Sequence, residues 1–264
     1  MARPLPEDNA VRRLHAEYAT VRALAEAGTL AEAAPRILQA VCETFDWAYG
    51  GIWRVDPSAG VLRCVQTWHA DTAGGKDLAG KAREVTFQPS EGLPGRVWSE
   101  DEPVWIPDIG RESRFPCAEV AEEAGLHTAL GVPIRFRDSF FGVLEFFSAS
   151  IPEPDVGLLE MLTTIAAQVG QFVEHKRTEE ELATLFRTSR DMLCIADFEG
   201  YLLRVNPAWT KTLGYTEEEL TSQPYLDFVH PDDRDATGAE ADSVSGGTSA
   251  LLFENRYRHK DGSY

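Results

Sequence analysis

The sequence predicts an α+β chain: an antiparallel sheet flanked by helices, a long connecting helix, and then a smaller, partial α/β sheet domain. Three observations predict it. The 264 residues exceed what one ordinary core holds, so two domains are the natural division. Runs of β-branched and aromatic residues of strand length alternate with stretches whose apolar residues recur every three or four positions. One unbroken helical pattern, about 155–186, stands between two such strand-bearing halves.

Residues 1–8 read as a disordered N-terminus. From about 9 to 27, Val11, Leu14, Tyr18, Val21 and Leu24 form one apolar stripe of a helix that Gly28 ends. A second helix, about 30–45, buries Ala33, Ile37, Leu38, Val41 and Phe45 and carries Pro35 in its first turn, and the two form a helical layer. The runs 47–56 and 61–69 then switch to strand character around the turn residues Pro57, Ser58, Ala59 and Gly60. A Gly-rich loop (Thr72 to Gly80), a short strand at 85–87 and a capped short helix in 90–101 follow. Strands return at 103–107, 127–136 and 139–149, with a helix at 114–125 before the last two and a hairpin at Arg137-Asp138 between them. The connecting helix starts after Pro152 or Pro154 and carries Leu158, Leu162, Ile165, Val169 and Phe172 in a heptad-like seam. Beyond it, 192–200 and 201–206 make a strand–turn–strand unit, with short helices at 207–214 and 216–220. A surface loop at 236–249 and a last strand at 251–259 complete the chain.

The bulk numbers exclude several classes of function. With 25 basic and 43 acidic residues the formal charge is −18, which repels phosphate backbones and anionic headgroups, so neither nucleic acid nor a membrane surface is an expected partner. Cys42, Cys64, Cys117 and Cys194 are far apart and in no CxxC or CxxH spacing, which suggests reduced thiols and neither a zinc site nor a redox motif. No signal sequence opens the chain and no run reaches the roughly 18 apolar residues of a membrane span, so a cytoplasmic location is expected.

Five pieces occur in order: GLPGRVW (92–98), PVWIPDI (103–109), RFPCAEVAEEAGLHTALGVPI (114–134), FFGVLEFFS (140–148) and LLEMLTTIAAQVGQFVE (158–174). Together they resemble the GAF family of small-molecule-sensing domains. Downstream, IADFEGYLLRVNPAWTKTLGYTEEEL (195–220), HPDDR (230–234) and RYRHKDGSY (256–264) resemble the PAS domain, another sensory module. The resemblances imply a GAF-like domain at 9–175 including its closing helix, a helical linker at 176–188, and a PAS-like domain at 189–264 that stops before its last two strands. Without those strands, unpaired backbone groups and an exposed apolar face are expected. The chain reads as a fragment whose parent carries an output domain, most often a histidine kinase, less often a cyclic-di-nucleotide enzyme or a phosphatase.

In the GAF-like pocket, Gly92, Leu93 and Gly95 begin a helix and can offer N–H groups to an anion, or can simply permit a tight turn. Trp53, Trp68, Trp98, Trp105 and Phe115 can stack on a flat ligand or fill the core. Bilin attachment is disfavoured because Cys117 is followed by Ala118, and the family's cyclic-nucleotide pattern is absent. His69 and His127 are candidate haem ligands with no motif around them, so haem is disfavoured. Flavin is disfavoured because the photoreceptor's Asn-Cys-Arg motif is missing. Asn206, Pro207 and Trp209 match the PAS helix opening, and His230, Asp232, Asp233 and Arg234 read as a helix-capping turn.

Motifs for a kinase, P-loop, zincin or hydrolase centre are absent, so no catalytic residue and no metal ligand is assigned. The resulting expectation is a sensory input region. A small molecule or partner in the GAF-like pocket shifts the 155–186 helix, whose seam either pairs with a second chain as a parallel coiled coil, giving a homodimer, or packs on its own sheet. The rivals are a protein-interaction scaffold with a self-filled pocket and a GAF-fold methionine sulfoxide reductase, the latter disfavoured for want of clustered cysteines.

Overall fold

The computed structural model describes residues 6–71, 73–112, 118–150, 153–245, 247 and 253–264, in two units, Met1–Arg177 and Thr178–Tyr264.

In the first unit, α1 (Pro6–Glu26) and α2 (Leu30–Phe45) lead into the hairpin of β1 (Tyr49–Asp56) and β2 (Val61–His69). Helix α2 begins where Thr29 accepts from the Glu32 N–H and the Glu32 carboxylate accepts from the Gly28 N–H, so neighbouring donors are satisfied reciprocally. Pro35 falls in its second turn and not the first, because the cap fixes Leu30 as the first helical residue. Residues 6–8 are already helical, which shortens the expected disordered N-terminus.

The stretch read as a Gly-rich loop is α3 (Ala73–Glu84), whose Leu78, Ala79 and Ala82 bury one face against the sheet. Then come β3 (Thr86–Phe87), α4 (Gly92–Glu100), β4 (Val104–Ile106), a 3-10 turn at Ile109–Arg111 and α5 (Ala118–Glu123). The long hairpin of β5 (Thr128–Phe136) and β6 (Ser139–Ser148) follows, turning at Arg137 with φ 53°. All pairings are antiparallel, in the order β3-β2-β1-β6-β5-β4.

Strand alternation divides the side chains between two cores. The outer core joins Leu130, Val132, Ile134, Leu144 and Phe146 to α1, α2 and α6 (Val156–Thr188). The inner core joins Tyr49, Trp53, Leu62, Val143 and Phe147 to α3, α4 and α5. Helix α6 approaches the sheet so closely that a Cβ on Gly170 would stand 2.3 Å from the Arg135 carbonyl oxygen. Its Leu162, Ile165 and Val169 are fully buried in the outer core. Of the two roles expected of the seam, these three positions serve packing on the chain's own sheet. By length and apolarity α6 alone among the described residues resembles a membrane span, against the expectation that no run would, but its most apolar residues are core residues.

Helix α1 reverses its expected face. Ala16, Thr20 and Ala23 are buried, whereas Val11, Leu14, Tyr18 and Val21 face solvent. Small residues let α1 sit close on its neighbours, and Arg13 anchors it through a bidentate pair with Asp155 at 2.7 Å.

In the second unit, β7 (Cys194–Ala196) pairs with β8 (Leu202–Val205), followed by α7 (Pro207–Leu213), α8 (Glu217–Thr221) and α9 (Arg234–Ser245). Helix α9 occupies most of the expected 236–249 loop, and the expected strand at 251–259 contributes one isolated bridge, Val229 with Tyr257, among its described residues. Leu202, Val205, Trp209, Leu213, Leu220 and Phe228 form this unit's core. Ile195 and Leu203 remain 51% and 61% exposed.

Candidate functional site

Among the described residues, the inner core of the first unit contains one buried carboxyl. Glu145 follows Val143 and precedes Phe147 in phase on β6, so alternation turns it inward, and it is 4% exposed. The Trp53 Nε1–H donates to Glu145 Oε1 at 2.5 Å. Directly across β1, Gly51 is the strand partner of Glu145, and a methyl there would lie 3.1 Å from both Glu145 Oε1 and the Tyr49 hydroxyl. Glycine at this position thus lets the Glu145 carboxyl and the Tyr49 hydroxyl close in over the strand.

Burial pushes the Glu145 carboxyl up to about 8, opposed by the Trp53 hydrogen bond, and no cation contributes. At neutral pH it is mainly the neutral acid, able to donate as well as accept. Cys64, on the same face, is pushed up to about 12, chiefly by burial and next by the Glu145 charge, so its thiol stays protonated and unreactive.

The residues singled out from the sequence separate. Trp53 and Leu93 meet in the inner core, where Trp53 also contacts Phe87 edge-on at 4.8 Å. Trp68 and Trp105 pack on the outer core, because Trp68 pairs with Gly50 and Trp105 with Leu130, both in the outward phase. Trp98 stacks on Phe140 at 6.1 Å, and His127 is exposed. His69 Nδ1 lies 2.9 Å from the Ala70 carbonyl oxygen, away from any metal-like cluster among the described residues. Phe115 and Cys117 lie outside the described residues.

Gly92 and Gly95 serve the turn. Gly92 has φ 57°, and a Cβ on Gly95 would come within 2.1 Å of the Gln88 carbonyl oxygen. The Gly95 N–H already donates to the Glu91 carbonyl at 2.9 Å, so it is not offered to an anion. Gly95→Ala is expected to cost roughly 1–3 kcal/mol through that clash, read as a lower midpoint in chemical denaturation.

Glu145, Tyr49 and Gly51 are the site residues that the sequence reading missed. The available signal was the phase of Glu145: an acid in step with Val143 and Phe147 inside an apolar strand. In the second unit, the Asn206 side chain accepts from the Leu193 N–H at 3.0 Å and donates to the Asp191 carbonyl at 2.9 Å, tying the helix opening to the first strand. Asp233 forms a bidentate pair with Arg256, which holds its carboxyl well below the usual range. The HPDDR turn is therefore architecture. Elsewhere in this unit a solvent-open groove of about 480 Å³ is lined by Phe186, Arg187, Arg204, Asn206, Lys211 and Glu217 among others.

Comparison with known families matches a GAF domain over residues 27–174 and a PAS fold over residues 202–264. The chain belongs to the GAF family and continues into a PAS fold. Both are regulatory domains of signalling proteins, and the chain is in that sense a sensory input region. The GAF domain is similar to that of a phosphoenolpyruvate-protein phosphotransferase from Coxiella burnetii, at 20% identity and TM-score 0.56, over 66% of this chain and 99% of that one. The corresponding domain from Acinetobacter gives 18% identity and TM-score 0.52, over 64% and 97%. Free methionine-R-sulfoxide reductase from Neisseria meningitidis gives 14% identity and TM-score 0.53, over 68% and 97%. At these identities the likeness is one of fold. A search of curated proteins finds no match. In this GAF domain Cys42 lies in the outer core and Cys64 on the inner face, on opposite sides of the sheet.

Proposed function

We propose that this chain is the cytoplasmic sensory input region of a signal-transduction protein, with the inner face of the GAF sheet as its small-molecule site. The observation that carries the reading is Glu145. Packing gives no reason for a carboxyl in an apolar core, and burying one is costly. With the Trp53 indole and the Tyr49 hydroxyl beside Gly51, it supplies the few polar groups in an apolar wall by which small-molecule sites orient a ligand. Occupancy would bias the sheet beneath α6, and α6 would relay the change towards the PAS fold and an output domain, for which a histidine kinase is the first choice.

A scaffold is the second reading. It is favoured by Trp53, Leu93, Val97 and Phe147, which are all nearly inaccessible and fill the same face with the protein's own side chains. The test is native mass spectrometry with an absorption spectrum, on the chain purified from its host and on its Glu145→Leu variant. A retained small molecule that the variant loses is the expected result. Protein repeatedly empty, with no thermal shift across a metabolite library, would transfer the assignment to the scaffold.

A further inference from the structure

We propose that the open groove of the second unit is a binding site for a small organic anion, an oxyanion group carried on an apolar body. Phe186 and Arg187, in the last turns of α6, form one wall, and Arg204 and Val205, at the end of β8, form another. Lys211 of α7 and Glu217 of α8 add to the lining. On β8, Leu202 and Val205 are buried in the unit's core while Arg204 is exposed, so the groove opens on the outside of the fold. Its volume of about 480 Å³ is that of a small-molecule site. A helical segment of a protein partner, about 10 Å across, would exceed it within two turns.

Charge selects the occupant. The chain carries −18 overall, and this unit pairs cations with carboxylates elsewhere: Arg256 with Asp233 at 2.7 Å and Lys260 with Glu219 at 2.6 Å. Arg187, Arg204 and Lys211 differ. Among the described residues none of the three is ion-paired, and Glu217 is the one acid in the lining. Three uncompensated cations gathered at one groove of an acidic protein make a local field that attracts an anion against the charge of the whole.

The groove also explains why the anion should be organic. The Arg204 guanidinium carbon lies 4.8 Å from the centre of the Phe186 ring, so an aromatic face and not a carboxylate holds the group. That contact leaves the planar fork of N–H donors for a carboxylate or phosphate. Phe186 and Val205 offer apolar surface from which an organic body gains and a bare ion does not. An occupant would tie the last turns of α6 to β8 and α7 of the same unit. The site uses none of the residues around Glu145 and stands independently of any ligand on the GAF sheet.

Ligand-observed NMR titrations of the full chain with phenyl phosphate and with benzoate test this. At least one is expected to bind with a Kd of about 1 mM or tighter. Tighter binding of phenyl phosphate assigns the class to phosphate esters, tighter binding of benzoate to carboxylates, and equal affinity to either. Arg204→Gln is expected to weaken binding about tenfold, and Glu217→Gln, which removes the opposing charge, to strengthen it about threefold. Both side chains are exposed, so both variants should melt as the unaltered chain does. Saturation with neither probe at roughly 10 mM overturns the proposal, as does binding that Arg204→Gln leaves unchanged. An affinity that Glu217→Gln fails to raise overturns the role of charge, and inorganic phosphate bound as tightly as phenyl phosphate overturns the organic body.

Discussion

Replacing Ile165 by aspartate should strongly destabilise the GAF domain. The side chain is 0% exposed and belongs to the outer core with Leu130, Val132, Ile134, Leu144 and Phe146. Truncating such an isoleucine alone costs about 2–5 kcal/mol, and a carboxylate left in the same space adds its own desolvation. Relief by drawing α6 away would have to open the close contact that Gly170 makes with the Arg135 backbone. The expected loss of about 4 kcal/mol or more is a large part of what a domain has, and should lower the melting midpoint by roughly 10 °C or more. Ile165→Val, which keeps the shape, should cost about 1 kcal/mol. Calorimetry of the full chain checks both; an unchanged midpoint in the aspartate variant would place Ile165 on a seam between chains.

That result bears on what the sequence could reveal. The rhythm of Leu158, Leu162, Ile165, Val169 and Phe172 identifies the helix and its apolar face but is the same whether that face meets a sheet or another helix. Which one it meets is decided by Gly170, a residue with no side chain to enter the pattern. Helix α1 shows the converse: its large apolar stripe was legible, yet the face that packs is the one with Ala16, Thr20 and Ala23, because close approach favours small residues over hydrophobic ones. The hairpins β1–β2 and β5–β6 were legible because turn residues bracket β-branched runs. Helix α3 was not, since its glycines read as a loop and its burial of Leu78, Ala79 and Ala82 is a tertiary gain. At the site, aromatic content drew attention to Trp68, Trp98 and Trp105, of which two pack on the outer core and one packs half-buried against the inner core. Phase along the strands, a better guide than composition, would have joined Trp53 to Glu145.

The second large effect is a pH dependence that Glu145 should impose and Glu145→Gln should abolish. The carboxyl ordinarily loses its proton at 4.5 and in the folded chain holds it to about 8. Between those values the folded state binds a proton that the unfolded state has released, so this group's contribution to stability falls as pH rises. Its full benefit is present below about 4.5, and its loss is complete once pH has passed through 8. At about 1.4 kcal/mol per pH step, going from pH 6 to pH 9 should remove on the order of 3 kcal/mol. Carboxyls held low by partners, Asp56 by Ser58 and Arg63 and Asp233 by Arg256, titrate far below this window and do not blur it. Glutamine keeps an oxygen for the Trp53 N–H and has no proton to lose, so the variant's midpoint should stay level where that of the parent falls. The difference between the two proteins cancels every other titrating group. Denaturation curves at intervals from pH 6 to 9 give that difference directly, and parallel profiles would mean that Glu145 ionises freely, with water or a cation beside it, and is no buried anchor in this face of the sheet.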